Sequence, residues 1–163
     1  VSPDKKSKNR IKAGDKAPNF VLPSHSGDVV SLRDFLGSKH VVLFFYPRDN
    51  SPGCTAEACG FRDNYDEFDR KGTEVLDISS DQTESHERFS SGNRLPFKLL
   101  SDEGGIVRKL YHVPKTLGLI SGRVTYVIDK NGIIRHIFSS QFGPRKHVEE
   151  ALKALKSISD KEG

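Results

Sequence analysis

The stretch "VVLFFYPRDNSPGCTAEACGF", Val41 to Phe61, decides how this chain is built, and it holds both cysteines. Its first six residues are apolar on both faces of an extended chain, the pattern of a central strand covered on two sides. Pro47 stops that strand. Ser51 then stands where a helix N-cap belongs, with Pro52 at the first helical position. From Cys54, the residues Ala58, Phe61, Tyr65 and Phe68 follow at i+4, i+7, i+11 and i+14, which predicts one helix from Cys54 to about Arg70, closed by Lys71-Gly72.

Cys54 is thereby the third helical residue, in the turn whose backbone N–H groups lack partners within the helix. The partial positive charge there favours a thiolate and a reactive sulfur. The competing reading is an inert core thiol on the apolar stripe. Cys59 lies five residues on, so an intact helix separates the two by ~7.5 Å of rise, with Cα atoms roughly 8–9 Å apart. A disulfide needs less than ~7 Å. A bridge therefore requires the first turns to unwind, giving up a few backbone bonds of ~0.5–1.5 kcal/mol each. A permanent staple over so short a loop gains little. The spacing suits two alternating states. A zinc site is not expected, because C-x4-C is not a common half-site and the six histidines are scattered.

Outward from this stretch, Phe20 to Leu22 and Val29 to Ser31 flank His25-Ser26-Gly27-Asp28 and read as a short hairpin. Thr73 to Ile78 is the next strand, Thr83 to Ser90 a short helix, Phe97 to Leu100 a brief extended piece, and Gly105 to His112 another short helix. Val124 to Ile128 and Ile133 to Phe138 surround "DKNG", Asp129 to Gly132, a hairpin signal. A last amphipathic helix runs from about Lys146 to Ile158. Strands joined through a helix lie parallel, and the late hairpin adds an antiparallel edge. This order predicts an α/β thioredoxin-like fold: a central mixed β-sheet flanked by helices, with an N-terminal β-hairpin extension.

The chain has 163 residues and a formal net charge of +4, and the excess is confined to its start. Residues 1–17 carry six basic side chains, Lys5, Lys6, Lys8, Arg10, Lys12 and Lys16, against Asp4 and Asp15, while the remainder holds 20 of each sign. Residues 1–17 are read as a basic disordered tail and 18–163 as a single domain. No aromatic-basic platform accompanies the tail, so nucleic acid is not an expected partner. The longest apolar run is far below the ~20 residues of a membrane helix, so no membrane partner is expected either. Val1 at the start and the absence of methionine fit a processed precursor. Two cysteines do not make a secreted disulfide scaffold.

The segment "YPRDNSPGCTAEAC" resembles the peroxiredoxin signature Pro-x-x-x-Thr/Ser-x-x-Cys, and the second cysteine five residues later resembles the peroxiredoxin Q type, also called bacterioferritin comigratory protein. "FRDNYDEF", "LPFKLLSDEGGIVRK", "GRVTYVIDKNG" and "SSQF" extend the resemblance over roughly Lys12 to Leu155. It implies Cys54 as the peroxidatic cysteine, Cys59 as the resolving cysteine that condenses with it, Pro47 as a shield of the pocket, and Ser51 as a hydrogen-bond partner of peroxide and thiolate. Arg123, which alone reads as a solvated arginine at a strand start, becomes the arginine that holds the pocket positive. Serine in place of the commoner threonine, and Arg48 at the pocket rim, depart from the usual pattern.

The implied activity is thiol-dependent reduction of hydrogen peroxide and alkyl hydroperoxides through a Cys54–Cys59 disulfide. Thioredoxin or a similar dithiol donor recycles it. No cofactor or metal is implied. A monomer is the expected state, in a chloroplast after transit-peptide removal or, alternatively, a bacterial cytoplasm. The rival enzyme, a protein dithiol/disulfide oxidoreductase of thioredoxin-like fold, is disfavoured by the lack of Cys-x-x-Cys. A cysteine hydrolase would need a partnered histidine, and none lies near the motif in sequence.

Overall fold

The computed structural model describes residues 10–116, 120–140 and 143–162. An antiparallel hairpin of β1 (Val21–Pro23) and β2 (Val29–Ser31) comes first, with Leu22 opposite Val30. The Ser31 side chain then caps a 3-10 turn, Leu32–Phe35, accepting from the Arg33 N–H, while Asp34 accepts from the Ser31 N–H. Next are β3 (His40–Phe45), α1 (Pro52–Asp63), α2 (Tyr65–Arg70), β4 (Thr73–Ser79), α3 (Thr83–Asn93) and β5 (Lys98–Ser101). After α4 (Ile106–Leu110), the short paired strands β6 (Lys115–Thr116) and β7 (Ile120–Ser121) precede β8 (Val124–Ile128), β9 (Ile134–Ser139) and α5 (Pro144–Glu162).

The main sheet has the order β5-β4-β3-β8-β9. β3 runs parallel to β4 and β4 to β5, whereas β8 lies antiparallel to both β3 and β9. Every residue of β3 is buried, as its two-faced apolar pattern requires. Val42, Phe44 and Tyr46 join one core with Cys54, Ala58, Phe61, Phe68, Val148 and Leu155 under α1 and α5. Val41, Leu43 and Phe45 join a second core with Phe20, Val30, Val107, Tyr111 and Tyr126 on the opposite face. The expected central mixed sheet flanked by helices is the observed one. Among the described residues no helix is long and apolar enough to cross a membrane.

Four expectations change. The predicted single helix to Arg70 is two, because Asn64 leaves helical geometry at φ −108 and ψ 10. Its side chain donates to the Gly60 carbonyl at 2.8 Å, offering the backbone a local alternative to the helix. The brief extended piece expected at Phe97 to Leu100 is present one residue later as the edge strand β5, and Ser24 of the hairpin bridges to it. The final helix starts earlier, at Pro144, directly after Gly143 with φ +71. Finally, the folded body begins before residue 18. Ile11 packs on the core, and Gly14, Asp15 and Ala17 exchange backbone bonds with Gly132 and Ile134. Lys5, Lys6 and Lys8 lie outside the described residues.

Candidate active site

Ser51 caps α1 as the sequence predicts. Its backbone is extended at φ −74 and ψ 148, and its Oγ accepts the Cys54 N–H at 3.4 Å while donating to the Arg48 carbonyl at 3.4 Å. The loop leading to it is held from below. The Asp49 carboxylate accepts from the Tyr46 hydroxyl at 2.6 Å and the Ser85 hydroxyl at 2.8 Å, and lies 2.8 Å from His86 Nδ1. Burial works against the Asp49 charge, but His86 and Tyr46 outweigh it and hold the carboxyl below its ordinary range. Arg108 reaches across from α4 to donate to the Tyr46 carbonyl at 2.9 Å. Pro47, half-buried, follows directly, and Arg48 is exposed, which fits a rim residue.

Cys54 is buried on α1, and Arg123 is buried immediately before β8. The Arg123 Nη1 donates to Glu57 Oε1 at 3.1 Å, and the guanidinium also interacts with the Cys54 sulfur. Burial opposes the guanidinium charge, and Glu57 and Cys54 together outweigh burial and raise its pKa. Gly53 leaves room for this approach, since a Cβ there would stand 2.9 Å from Arg123 Nη2. Cys59 is half-buried, with its Sγ 3.8 Å from Asn93 Oδ1, beside a cleft of about 420 Å³ between α1 and α5. Both thiols are free, and α1 is unbroken between them.

Sequence reasoning missed the ionisable groups beneath Cys54. Glu57, one turn on from Cys54, is fully buried, and burial pushes its carboxyl up to about 8 against the pull of Arg123. The signal was an acid on the buried face of the helix. Asp77, in the middle of β4, is also fully buried with neither side-chain oxygen hydrogen-bonded. Burial, then Glu57, Asp49 and Cys54, raise its pKa well above the ordinary value. His147 returns to the site through α5, although the histidines look scattered in sequence. Its ring and that of His86 bond to Thr125 and Ser140, and to Asp49 and Leu100, respectively. Asp49, Asp81 and His86 are the one cluster of metal-ligand type among the described residues. Their side chains are engaged in holding the loop: Asp81 accepts from Ser79 at 2.6 Å and from the Asp49 N–H at 2.8 Å.

A profile of the AhpC/TSA family matches residues 13–137. Peroxiredoxin Q, chloroplastic, from Oryza sativa subsp. japonica is 49% identical over 150 residues, 91% of this chain and 69% of the rice protein. This chain belongs to the AhpC/TSA family, in its peroxiredoxin Q type. Chloroplastic peroxiredoxin Q from Arabidopsis thaliana is 50% identical over 149 residues, covering 91% of this chain and 68% of that one. The crystal structure of peroxidoxin BcpB from Mycobacterium tuberculosis superposes with a TM-score of 0.84 at 36% identity, over 91% of this chain and 99% of the other. The peroxiredoxin is thus a thiol-dependent peroxidase of the thioredoxin fold, an oxidoreductase as the resemblance implied.

Proposed function

We propose that Cys54 is the peroxidatic nucleophile of this peroxidase and Cys59 its resolving thiol. One observation carries the assignment: a buried sulfur stands in the first turn of α1, where a buried guanidinium comes so close that a Cβ on the adjacent Gly53 would lie 2.9 Å from Arg123 Nη2, and a second, half-buried thiol follows five residues on in the same helix. The Cys54 thiolate attacks the peroxide, forming an S–O bond as the O–O bond breaks. The departing oxygen takes a proton and leaves as water or an alcohol, and Cys54 becomes a sulfenic acid. Arg123 supplies a fixed positive charge where negative charge shifts from sulfur to oxygen.

Ser51 takes the role of a hydroxyl donor to the peroxide. Its present bonds, at 3.4 Å, are long and weak, so turning the hydroxyl gives up little. Pro47 covers the pocket from the end of β3. Cys59 then attacks the sulfenic sulfur, the S–S bond forms and water leaves. A dithiol of the thioredoxin type reduces the bridge, becoming a disulfide itself and restoring both thiols. Hydrogen peroxide and alkyl hydroperoxides are the substrates in this reading. A monomer is the working unit in this reading. The plant relatives named chloroplastic favour a plastid over a bacterial cytoplasm.

NADPH oxidation coupled through thioredoxin reductase and thioredoxin tests the assignment. Cys54→Ser is expected to lose peroxide turnover with both hydrogen peroxide and a bulky hydroperoxide. Retained turnover would reject Cys54 as the nucleophile.

A further inference from the structure

A short polar chain runs away from Cys54 into the core. Arg123 Nη1 donates to Glu57 Oε1 at 3.1 Å, and the other carboxyl oxygen, Oε2, lies 3.3 Å from His147 Nδ1. That nitrogen is also 2.8 Å from Thr125 Oγ1, and His147 Nε2 is 2.9 Å from the Ser140 carbonyl. Glu57, Thr125 and His147 are all fully buried, and the Phe138 ring meets the imidazole edge-on at 4.7 Å.

The positions of the hydrogens follow from the partners. A carbonyl only accepts, so His147 Nε2 carries a hydrogen. In a neutral imidazole Nδ1 is then a lone pair, and the Thr125 hydroxyl donates to it. An ionised Glu57 would set a second lone pair 3.3 Å from that nitrogen with no hydrogen between them, and Oε2 has no hydrogen-bond donor among the described residues. A buried anionic oxygen without a donor is among the costlier arrangements in a protein interior. One additional proton on Oε2 removes the buried charge, and the Nδ1 lone pair is then shared by two donors, the Thr125 hydroxyl at 2.8 Å and the more distant carboxyl at 3.3 Å.

We propose that Glu57 and His147 hold that proton together, so that the pair carries no net charge and the Arg123 cation is left to the Cys54 sulfur. His147 is then a positioning residue acting through Glu57 and Arg123, a role that rests on Cys54 being the nucleophile. Burial acts on both partners in the required sense, pushing Glu57 up to about 8 and His147 down to about 4, so at neutral pH the proton rests on Oε2. Ser140 works against the fall in His147, and Arg123 adds to it. From β4, Asp77 feels Glu57, Asp49 and Cys54, and a negative charge at Glu57 would oppose one at Asp77. An ionised Glu57 would also offset the attraction of Arg123 for a thiolate.

Two measurements test the proposal. The Glu57 side-chain carboxyl carbon of the native chain, followed by NMR, is expected to titrate near pH 8. In His147→Asn, whose amide can donate to Oε2 without an extra proton, the midpoint is expected to fall by about one unit or more. A native midpoint in the ordinary carboxylate range, or an unmoved one in His147→Asn, overturns the proposal. Second, the stopped-flow rate constant of the native enzyme with hydrogen peroxide is expected to decline on an alkaline limb with the same midpoint. His147→Asn should move that limb to lower pH, and Glu57→Gln should abolish it. A limb that survives Glu57→Gln, or stays in place in His147→Asn, overturns it equally. The NMR titration needs no nucleophile, so failure of the Cys54 assignment shows separately, as peroxide turnover surviving Cys54→Ser.

Discussion

Cys54 and Cys59 differ in their surroundings, and the proposed division of labour between them rests on that difference. Cys54 is buried beside Arg123, whereas the half-buried Cys59 meets the Asn93 oxygen at 3.8 Å, feels the Arg62 guanidinium, and has an open cleft beside it. Cys59→Ser is therefore expected to consume about one equivalent of peroxide per chain and stop, with a sulfenic acid at Cys54 that dimedone traps. Undiminished cycling with thioredoxin would mean that Cys59 is not needed to resolve it, since the chain has no third cysteine. At this scale the sequence disclosed what the local order determines: the cap at Ser51, Pro52 behind it, and Cys54 in the first turn. Arg123 was recognisable only through the family pattern, because nothing in "GRVTY" distinguishes a pocket arginine from a solvated one. Glu57 escaped because the helix stripe was traced through apolar residues alone, and His147 because only tertiary packing brings α5 beneath α1.

At the scale of elements, α1 must hold two roles in turn. Intact, it places Cys54 at its N-terminus and keeps Cys59 too far along the axis to bond. Oxidised to the disulfide, its first turns must open. Amides from Thr55 to Gly60 are expected to exchange at least about tenfold faster in the disulfide form, the equivalent of roughly 1.4 kcal/mol of lost local protection. Unchanged protection in a verified disulfide would contradict the unwinding. The helix start was legible because Ser and Pro act locally. The break at Asn64 was not, since Tyr65 and Phe68 continue the phase of the stripe across it. β5 was placed only to within one residue because an edge strand of four residues carries little pattern of its own.

For the whole molecule, the topology was legible because parallel crossovers and a "DKNG" turn leave few alternatives. The N-terminal boundary was set too late because charge, which is silent about backbone pairing, was used to draw it. The buried acids also set how stability depends on pH. Glu57 and Asp77 bind their protons more tightly folded than unfolded, so their contribution is complete in acid and is lost as pH rises through the folded values. His147, lowered to about 4 from 6.5, acts in the opposite sense and adds stability as pH climbs through that interval. Of these three groups only the two acids still change above it. Urea unfolding of the reduced chain should therefore show lower stability at pH 8 than at pH 6.5, with roughly 1–2 kcal/mol from Glu57. A rise across this interval would contradict the protonated assignment.

The interruption at Asn64 limits how far an oxidation event spreads. Helical order is cooperative along a continuous ladder, and the ladder that holds both thiols ends at Asp63. Beyond the gap, Phe68 is embedded in the core and the Tyr65 hydroxyl is moored to Glu74 at 3.0 Å. Each catalytic cycle burns a short fuse and leaves the wall behind it standing.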